Sequence, residues 1–237
     1  MNTGTLFLIP VPLGAVAPTQ TLPEATLLQL RALRRFIAES AKSARAVLKA
    51  AQHPVALREL TIDELNEHTP AAALPQLLAP LVAGTNVGLL SEAGCPAVAD
   101  PGSGLVDLAH RAGIRVVPLV GPSSLLLALM ASGLNGQCFS FHGYLPAKEP
   151  ARSNAMRQLE KESQKNGGVQ IFIETPYRNE ALLDCLLATC SPRSRLCLAT
   201  DLTLASEYVR TASIDVWASQ RPQSLDRRPT VFLLQAA

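Results

Sequence analysis

The run "TNVGLL" (Thr85–Leu90) passes without a break into "SEAGCPAVADPGSG" (Ser91–Gly104). A continuous apolar run of this kind reads as a strand buried on both faces, as parallel sheets use. The stretch that follows is rich in glycine and proline and almost free of bulky polar side chains. Strand-to-helix loops in α/β domains take about 2–6 residues, so this one is unusually long. Glycine allows positive φ and close backbone approach, and proline fixes the path without a ligand to order it. The junction therefore predicts a buried parallel strand that ends in a loop shaped for something to lie against.

Outward from that junction, short β-like runs alternate with helix-like ones. "TLFLIPV" (Thr5–Val11) is the first predicted strand, and "LPEATLLQLRAL" is helical with Pro23 near its first turn. "RRFIAE" gives a second strand and "SAKSARAVLKAAQ" a helix. Beyond the long loop, Ser103 is expected to cap the helix "GLVDLAHRA", which stops at Gly113. "IRVVPLV" is the next strand, and "PSSLLLALMASG" a helix ending at Gly133, with Met130 assigned to the core. This alternation implies right-handed βαβ crossovers and a parallel sheet.

The second half has strands "FSFHGYLP", "VQIFIET" and "RLCLATDL", separated by the helices "RSNAMRQLEKES" and "YRNEALLDCLLAT". "SEYVRTA" then returns as a hairpin partner, and "PTVFLLQ" closes the chain as a last strand. A hairpin implies a mixed sheet. The expected fold class is α/β with two α/β domains. Residues 1–118 carry a mainly parallel sheet and residues 119–237 a mixed one, with the boundary near Pro118–Pro122.

Composition narrows the function. The net charge is only +2, so no strong global field points to nucleic acid or membrane. Aromatic residues make up 4% of the chain, so base-stacking platforms of the single-strand-binding kind are not expected. The five cysteines (Cys95, Cys138, Cys185, Cys190, Cys197) form no CxxC pair, which reads as reduced thiols in a cytoplasmic protein without a zinc site. The N-terminal stretch lacks the basic segment of a signal peptide, and the longest apolar stretch is broken by Pro118, Gly121 and Pro122. Neither reads as a membrane element.

Three glycine/proline loops follow strands in the first half: Pro10–Ala15, Ser91–Gly104 and Val120–Ser124. Open α/β sheets bind ligands at the carboxyl ends of their strands. The first loop, "PVPLGA", has one glycine where a dinucleotide fingerprint needs three, and no phosphate-binding lysine motif is present. Glu39 stands where a ribose-binding acid would, but without those glycines. A nucleoside-like ligand without phosphates remains.

The segments "IPVPLG", "LLSEAGCPAVADPG", "GIRVVPLVGPSSLLLALMASGL", "FSFHGYLPAK" and "IFIETPYRNEALL" resemble, in order, the motifs of the tetrapyrrole-methylase-like S-adenosylmethionine methyltransferases. They are closest to the ribosomal RNA small-subunit methyltransferase I branch. The resemblance implies a donor folded into a cleft between two domains, usually in a homodimer, and 2′-O-ribose methylation of small-subunit ribosomal RNA. It places the S-adenosylmethionine beside Pro12, Leu13, Ser91, Glu92, Ala93, Gly94, Gly121, Ser123 and Ser124, and near Pro229, Thr230 and Val231. The sequence departs from the branch at "AESAKSAR", "SEAGCP" and "RRPT", positions expected to face the acceptor. Two alternatives stay open: methylation of a tetrapyrrole or other small molecule, and a non-catalytic nucleoside-binding relative.

Methyl transfer needs alignment above all, and a hydroxyl acceptor also needs a base. Asp100 in the long loop is one candidate, beside its ordinary role of tying a turn or capping a helix. Glu207, matching an acidic position of the branch at the hairpin, is the other, beside the role of an exposed cross-strand carboxylate. Lys42 and Arg45, with Lys49, fall at helical spacing on one face and are candidates for acceptor phosphates or solvated surface. Tyr177 and Arg178 are further acceptor candidates, Arg178 otherwise pairing with Glu174 or Glu180. His142 reads as a satisfied, half-buried histidine.

Overall fold

A computed structural model describes residues 3–222 and 224–237. The chain divides into two compact units, Met1–Ser123 and Ser124–Ala237. The first unit contains β1 (Thr5–Ile9), α1 (Pro18–Thr21), α2 (Glu24–Ala32), β2 (Arg35–Ala38) and α3 (Ala41–Ala50). It continues with β3 (Thr61–Glu64), α4 (Leu74–Val82), β4 (Val87–Leu90), α5 (Ser103–Arg111) and β5 (Arg115–Pro118). Its sheet runs β3-β2-β4-β1-β5, and every pairing is parallel. β4 is buried along its whole length, as its apolar run requires.

Helices cover both faces of this sheet. Leu22, Leu27 and Leu30 pack with Ala44 and Leu48 against Ile9, Phe36 and Leu90. Leu81 of α4 and Leu105 and Ala109 of α5 pack instead with Leu6, Ile37 and Leu89. Neighbouring residues of one strand point to opposite faces, so α2 and α3 lie on one side and α4 and α5 on the other.

The second unit contains α6 (Ser124–Ser132), β6 (Phe139–Tyr144), α7 (Ala151–Asn166), β7 (Val169–Ile173) and α8 (Asn179–Thr189). β8 (Arg195–Thr200), β9 (Tyr208–Ser213), α9 (Ile214–Ser219) and β10 (Thr230–Gln235) complete it. The sheet order is β6-β7-β10-β8-β9; β6 and β7 run parallel and the other pairs antiparallel, which makes the mixed sheet. Phe172 and Phe232 stack with ring centroids 5.8 Å apart in its core. The indole of Trp217, fully buried, donates to the Leu196 carbonyl at 2.9 Å.

Several local expectations are corrected. Gly102, at φ +133°, caps α5, and Ser103 is already the first helical residue without a side-chain cap bond. Met130 is 77% exposed, because α6 turns Ala128, Leu129 and Ser132 inward and carries Met130 on the opposite side. The loop after β5 belongs to the first unit: the Leu119 N–H donates to the Leu8 carbonyl at 2.9 Å and extends the ladder past Pro118. β3, α4 and α9 have no counterpart in the sequence reading. β3 is a polar edge strand, and α4 contains an internal Pro80. Among the described residues no helix is long and apolar enough to cross a membrane.

Candidate functional site

The strand order sets where a ligand fits in the first unit. The chain leaves β1 toward β2 with α2 on one face, and leaves β4 toward β5 with α5 on the other. β1 and β4 are neighbours and their outgoing connections pass each other on opposite faces, so both loops lie together at the carboxyl edge, where open α/β sheets bind ligands.

The loops at that edge are fastened to one another. Val11 and Gly94 exchange two backbone hydrogen bonds, at 2.9 and 3.1 Å, which join the loops after β1 and β4. The hydroxyl of Ser91, itself buried, donates to the Gly94 carbonyl at 2.5 Å. The Cys95 thiol lies 3.5 Å from the Pro122 carbonyl and brings in the loop after β5. Gly94 has φ +72°, and a Cβ there would stand 3.1 Å from Leu13 Cδ2 and 3.5 Å from the Pro122 oxygen. A Cβ on Gly121 would overlap Pro10 at 2.4 Å. Both glycines let the backbones of neighbouring loops close up.

Ala97 and Ala99 also sit at positive φ, 64° and 55°. Left-handed backbone costs an alanine roughly 1–2 kcal/mol, so this loop holds strain that tight turns elsewhere avoid. Among the described residues, the main-chain N–H groups of Leu13, Glu92 and Ala93 make no hydrogen bond within the chain, and Glu92 and Ala93 are exposed. The edge offers free backbone donors and apolar walls rather than cations. Pro12 and Leu13 lie in the first loop, and Gly121 and Ser123 in the third, with Ser124 opening α6.

Asp100 closes the acidic side of this edge. Burial pushes its carboxyl from 3.8 up to about 7, and the Glu39 carboxylate at the end of β2 adds to the shift by its charge and a hydrogen bond, with Glu92 contributing less. Near neutral pH Asp100 therefore sits at the midpoint of its titration, the range in which a general base works best. The partnership of Glu39 with Asp100 was not read from sequence, since 61 residues separate them; β2 and β4 being neighbours in the sheet is what joins them.

The second unit gathers a different set at one end of its sheet. Glu174, buried after β7, takes the Arg178 guanidinium at 2.6 Å and the Thr175 N–H at 2.6 Å. Burial alone would raise that carboxyl, but these donors outweigh it and hold it below the usual carboxylate range. The Arg178 guanidinium lies 5.2 Å from the Tyr177 ring centroid. Asp201 pairs with Arg228 at 2.8 Å and accepts the Ser206 hydroxyl. Thr230 faces Thr200 across the β10–β8 ladder, with Pro229 before it and Val231 paired to Ala199 and Ile173.

The remaining candidates separate. Glu207 is exposed and accepts the Thr203 N–H at 2.7 Å, which ties the β8–β9 turn. Lys42 and Arg45 project from α3 into solvent, behind the Ser40 cap. His142 bonds Gln170 at 2.7 Å and is half-buried. All five cysteines are free thiols.

Solved structures with this architecture include the methyltransferase CobJ, with a TM-score of 0.65 at 16% identity, over 100% of this chain and 95% of that one. A uroporphyrin-III C-methyltransferase from Thermus thermophilus, complexed with S-adenosylhomocysteine, has a TM-score of 0.56 at 19% identity over 98% and 97% of the two chains. The fold is that of the tetrapyrrole-type methyltransferases. No protein-family model matches the chain. Curated relatives are more specific. The ribosomal RNA small subunit methyltransferase I of Escherichia coli is 34% identical over 90% of this chain and 70% of its own. That of Xylella fastidiosa is 32% identical over 98% and 80%. That of Vibrio cholerae is 30% identical over 91% and 72%. The chain belongs to the ribosomal RNA small subunit methyltransferase I family.

Proposed function

We propose that the protein transfers the methyl group of S-adenosylmethionine to a ribose 2′-oxygen of small-subunit ribosomal RNA. The observation that carries this reading is the fastened edge of the first sheet: loops after β1, β4 and β5, locked by Gly94 and Gly121, at the carboxyl edge of a parallel α/β sheet. Bound there, S-adenosylmethionine supplies a methyl group activated on a sulfonium. A zwitterionic nucleoside fits backbone donors and apolar walls better than arginines. The N–H groups of Leu13, Glu92 and Ala93 meet its polar atoms, and Pro12, Gly121, Ser123 and Ser124 line it.

Asp100 takes the proton from the acceptor hydroxyl, supported by a carboxyl pushed up to about 7 beside Glu39. Glu207 is the weaker candidate, since its carboxylate already holds the Thr203 N–H. Lys42, Arg45 and Arg178, with Tyr177, hold the acceptor backbone. The protein works as a homodimer in the cytoplasm, a reading that rests on the family and on its free thiols.

Titration with S-adenosylhomocysteine, transfer of labelled methyl to small subunits, and light scattering test these points. Combined Lys42→Ala, Arg45→Ala and Arg178→Ala substitution should preserve donor affinity, weaken RNA binding and flatten its salt dependence. If the wild-type protein binds neither naked RNA nor small subunits at low salt, the RNA reading fails and a small-molecule acceptor takes its place.

A further inference from the structure

The chain has only three tyrosines, and the second sheet brings all of them to one end. Tyr144 ends β6 and pairs with Ile173; Tyr177 lies four residues beyond Ile173; Tyr208 opens β9 opposite Thr200. Tyr144 and Tyr177 are 56% and 67% exposed, which is unusual for aromatic side chains in so poorly aromatic a chain. Glu174 fixes the guanidinium of Arg178 against the Tyr177 ring, and Tyr144 ends the strand beside β7, from which the turn carrying Tyr177 leaves.

Arg227 completes the group. Its N–H donates to the Pro176 carbonyl at 3.3 Å, which pins it to the turn that carries Tyr177. Its φ of +57° is left-handed, a conformation that an arginine adopts at a cost, and its side chain is 88% exposed. The Asp226 contact at 3.8 Å is a loose surface pair and does not neutralise it.

We propose that Tyr177, Tyr144 and Arg227 form a platform for one unpaired nucleotide of the acceptor RNA. The base stacks on Tyr177, whose other side is backed by the Arg178 cation, Tyr144 flanks it, and Arg227 takes the adjoining phosphate. This rests on the RNA reading above and narrows it to a single-stranded segment. Composition alone argues against an extended stacking surface; concentrating the tyrosines at one sheet end supplies a platform for a single base. Stacking is tolerant of sequence and requires an unpaired base, so the platform selects strandedness rather than identity.

The test uses the full chain, a fluorescein-labelled single-stranded RNA hexamer, an RNA duplex, small ribosomal subunits and S-adenosylhomocysteine. Tyr177→Ala should weaken hexamer binding about tenfold, while Tyr177→Trp retains it. Arg227→Ala should lower the slope of log affinity against log salt by about one. S-adenosylhomocysteine affinity should be unchanged in all three variants, which also shows that they fold. Wild-type binding to the hexamer with unaltered binding by Tyr177→Ala overturns the platform and leaves the RNA reading standing. An equal loss on duplex and hexamer overturns stacking as the mode. Failure of the wild type to bind hexamer, duplex or small subunits removes the RNA reading, and the platform with it.

Discussion

The two sheets present opposite kinds of chemistry at their loop-bearing ends. In the first, contact is made by backbone: Gly94 and Gly121 let three loops touch, and the side chains near them, Leu13, Pro10 and Leu22, are apolar. In the second, contact is made by side chains: Glu174 with Arg178, Asp201 with Arg228, and the exposed tyrosines. A backbone site suits a ligand whose recognition depends on shape and amide hydrogen bonds, whereas a site of anchored cations and rings suits a polyanion with flat bases. The proposed division, donor at the first edge and acceptor at the second, rests on that contrast.

The largest expected effect separates two glycines of similar conformation. Gly94 has φ +72° with neighbours at 3.1 and 3.5 Å, whereas Gly143 has φ +64° and nothing within 4 Å of an added Cβ. Gly94→Val should abolish saturable heat with S-adenosylhomocysteine. Gly143→Ala should cost only backbone strain, about 1 kcal/mol in denaturant melts, and leave donor binding intact. Equal donor affinity in both folded variants would remove the first sheet's edge from the site.

Charge pairing gives the next effect. Arg228→Ala leaves the buried Asp201 carboxylate without its cation and should destabilise the protein by about 2 kcal/mol, below the full cost of a deeply buried pair because Arg228 is partly exposed. Chemical denaturation measures it. A change below about 0.5 kcal/mol would mean that the second end is no more dependent on charge than the first.

Asp100 offers a pH signature of smaller size. Its carboxyl is raised from 3.8 to about 7, so between those values the folded chain keeps a proton that the unfolded chain releases. Stability should therefore be highest at the acid end of that window, fall as pH rises through it, and level off above 7. Asp100→Asn should flatten this dependence and be more stable than wild type at pH 8 by on the order of 1 kcal/mol, allowing for partial exposure. Melts from pH 5 to pH 8 decide it. The smallest effect is Glu207→Gln, which weakens one exposed turn bond and should cost only a few tenths of a kcal/mol in the same melts.

What the sequence shows and what it hides divide along physical lines. β4 was legible because burial on both faces makes an uninterrupted apolar run, and the β8–β9 hairpin because a short turn separates two strand-like runs. β3 was not, since an edge strand needs little apolar character, and the prolines of α4 mask a helix that packing sustains. Met130 was misplaced because α6 is apolar all round, and such a helix does not announce which side meets the sheet. The loops at the carboxyl edge of the first sheet were visible as glycine and proline. Long-range pairs such as Asp100 with Glu39 and Arg228 with Asp201 were not, because only the sheet order brings them together.

The paired hydrogen bonds between Val11 and Gly94 have a consequence for how a ligand arrives. Two loops that share a ladder rung cannot fluctuate independently, so the Val11 and Gly94 amides should exchange with solvent together and slowly. A nucleoside bound at this edge, as proposed, meets a surface whose ordering entropy was lost when the domain folded. Association needs no loop closure, its rate is set by diffusion and orientation, and differences in affinity among donor analogues appear in how fast they leave.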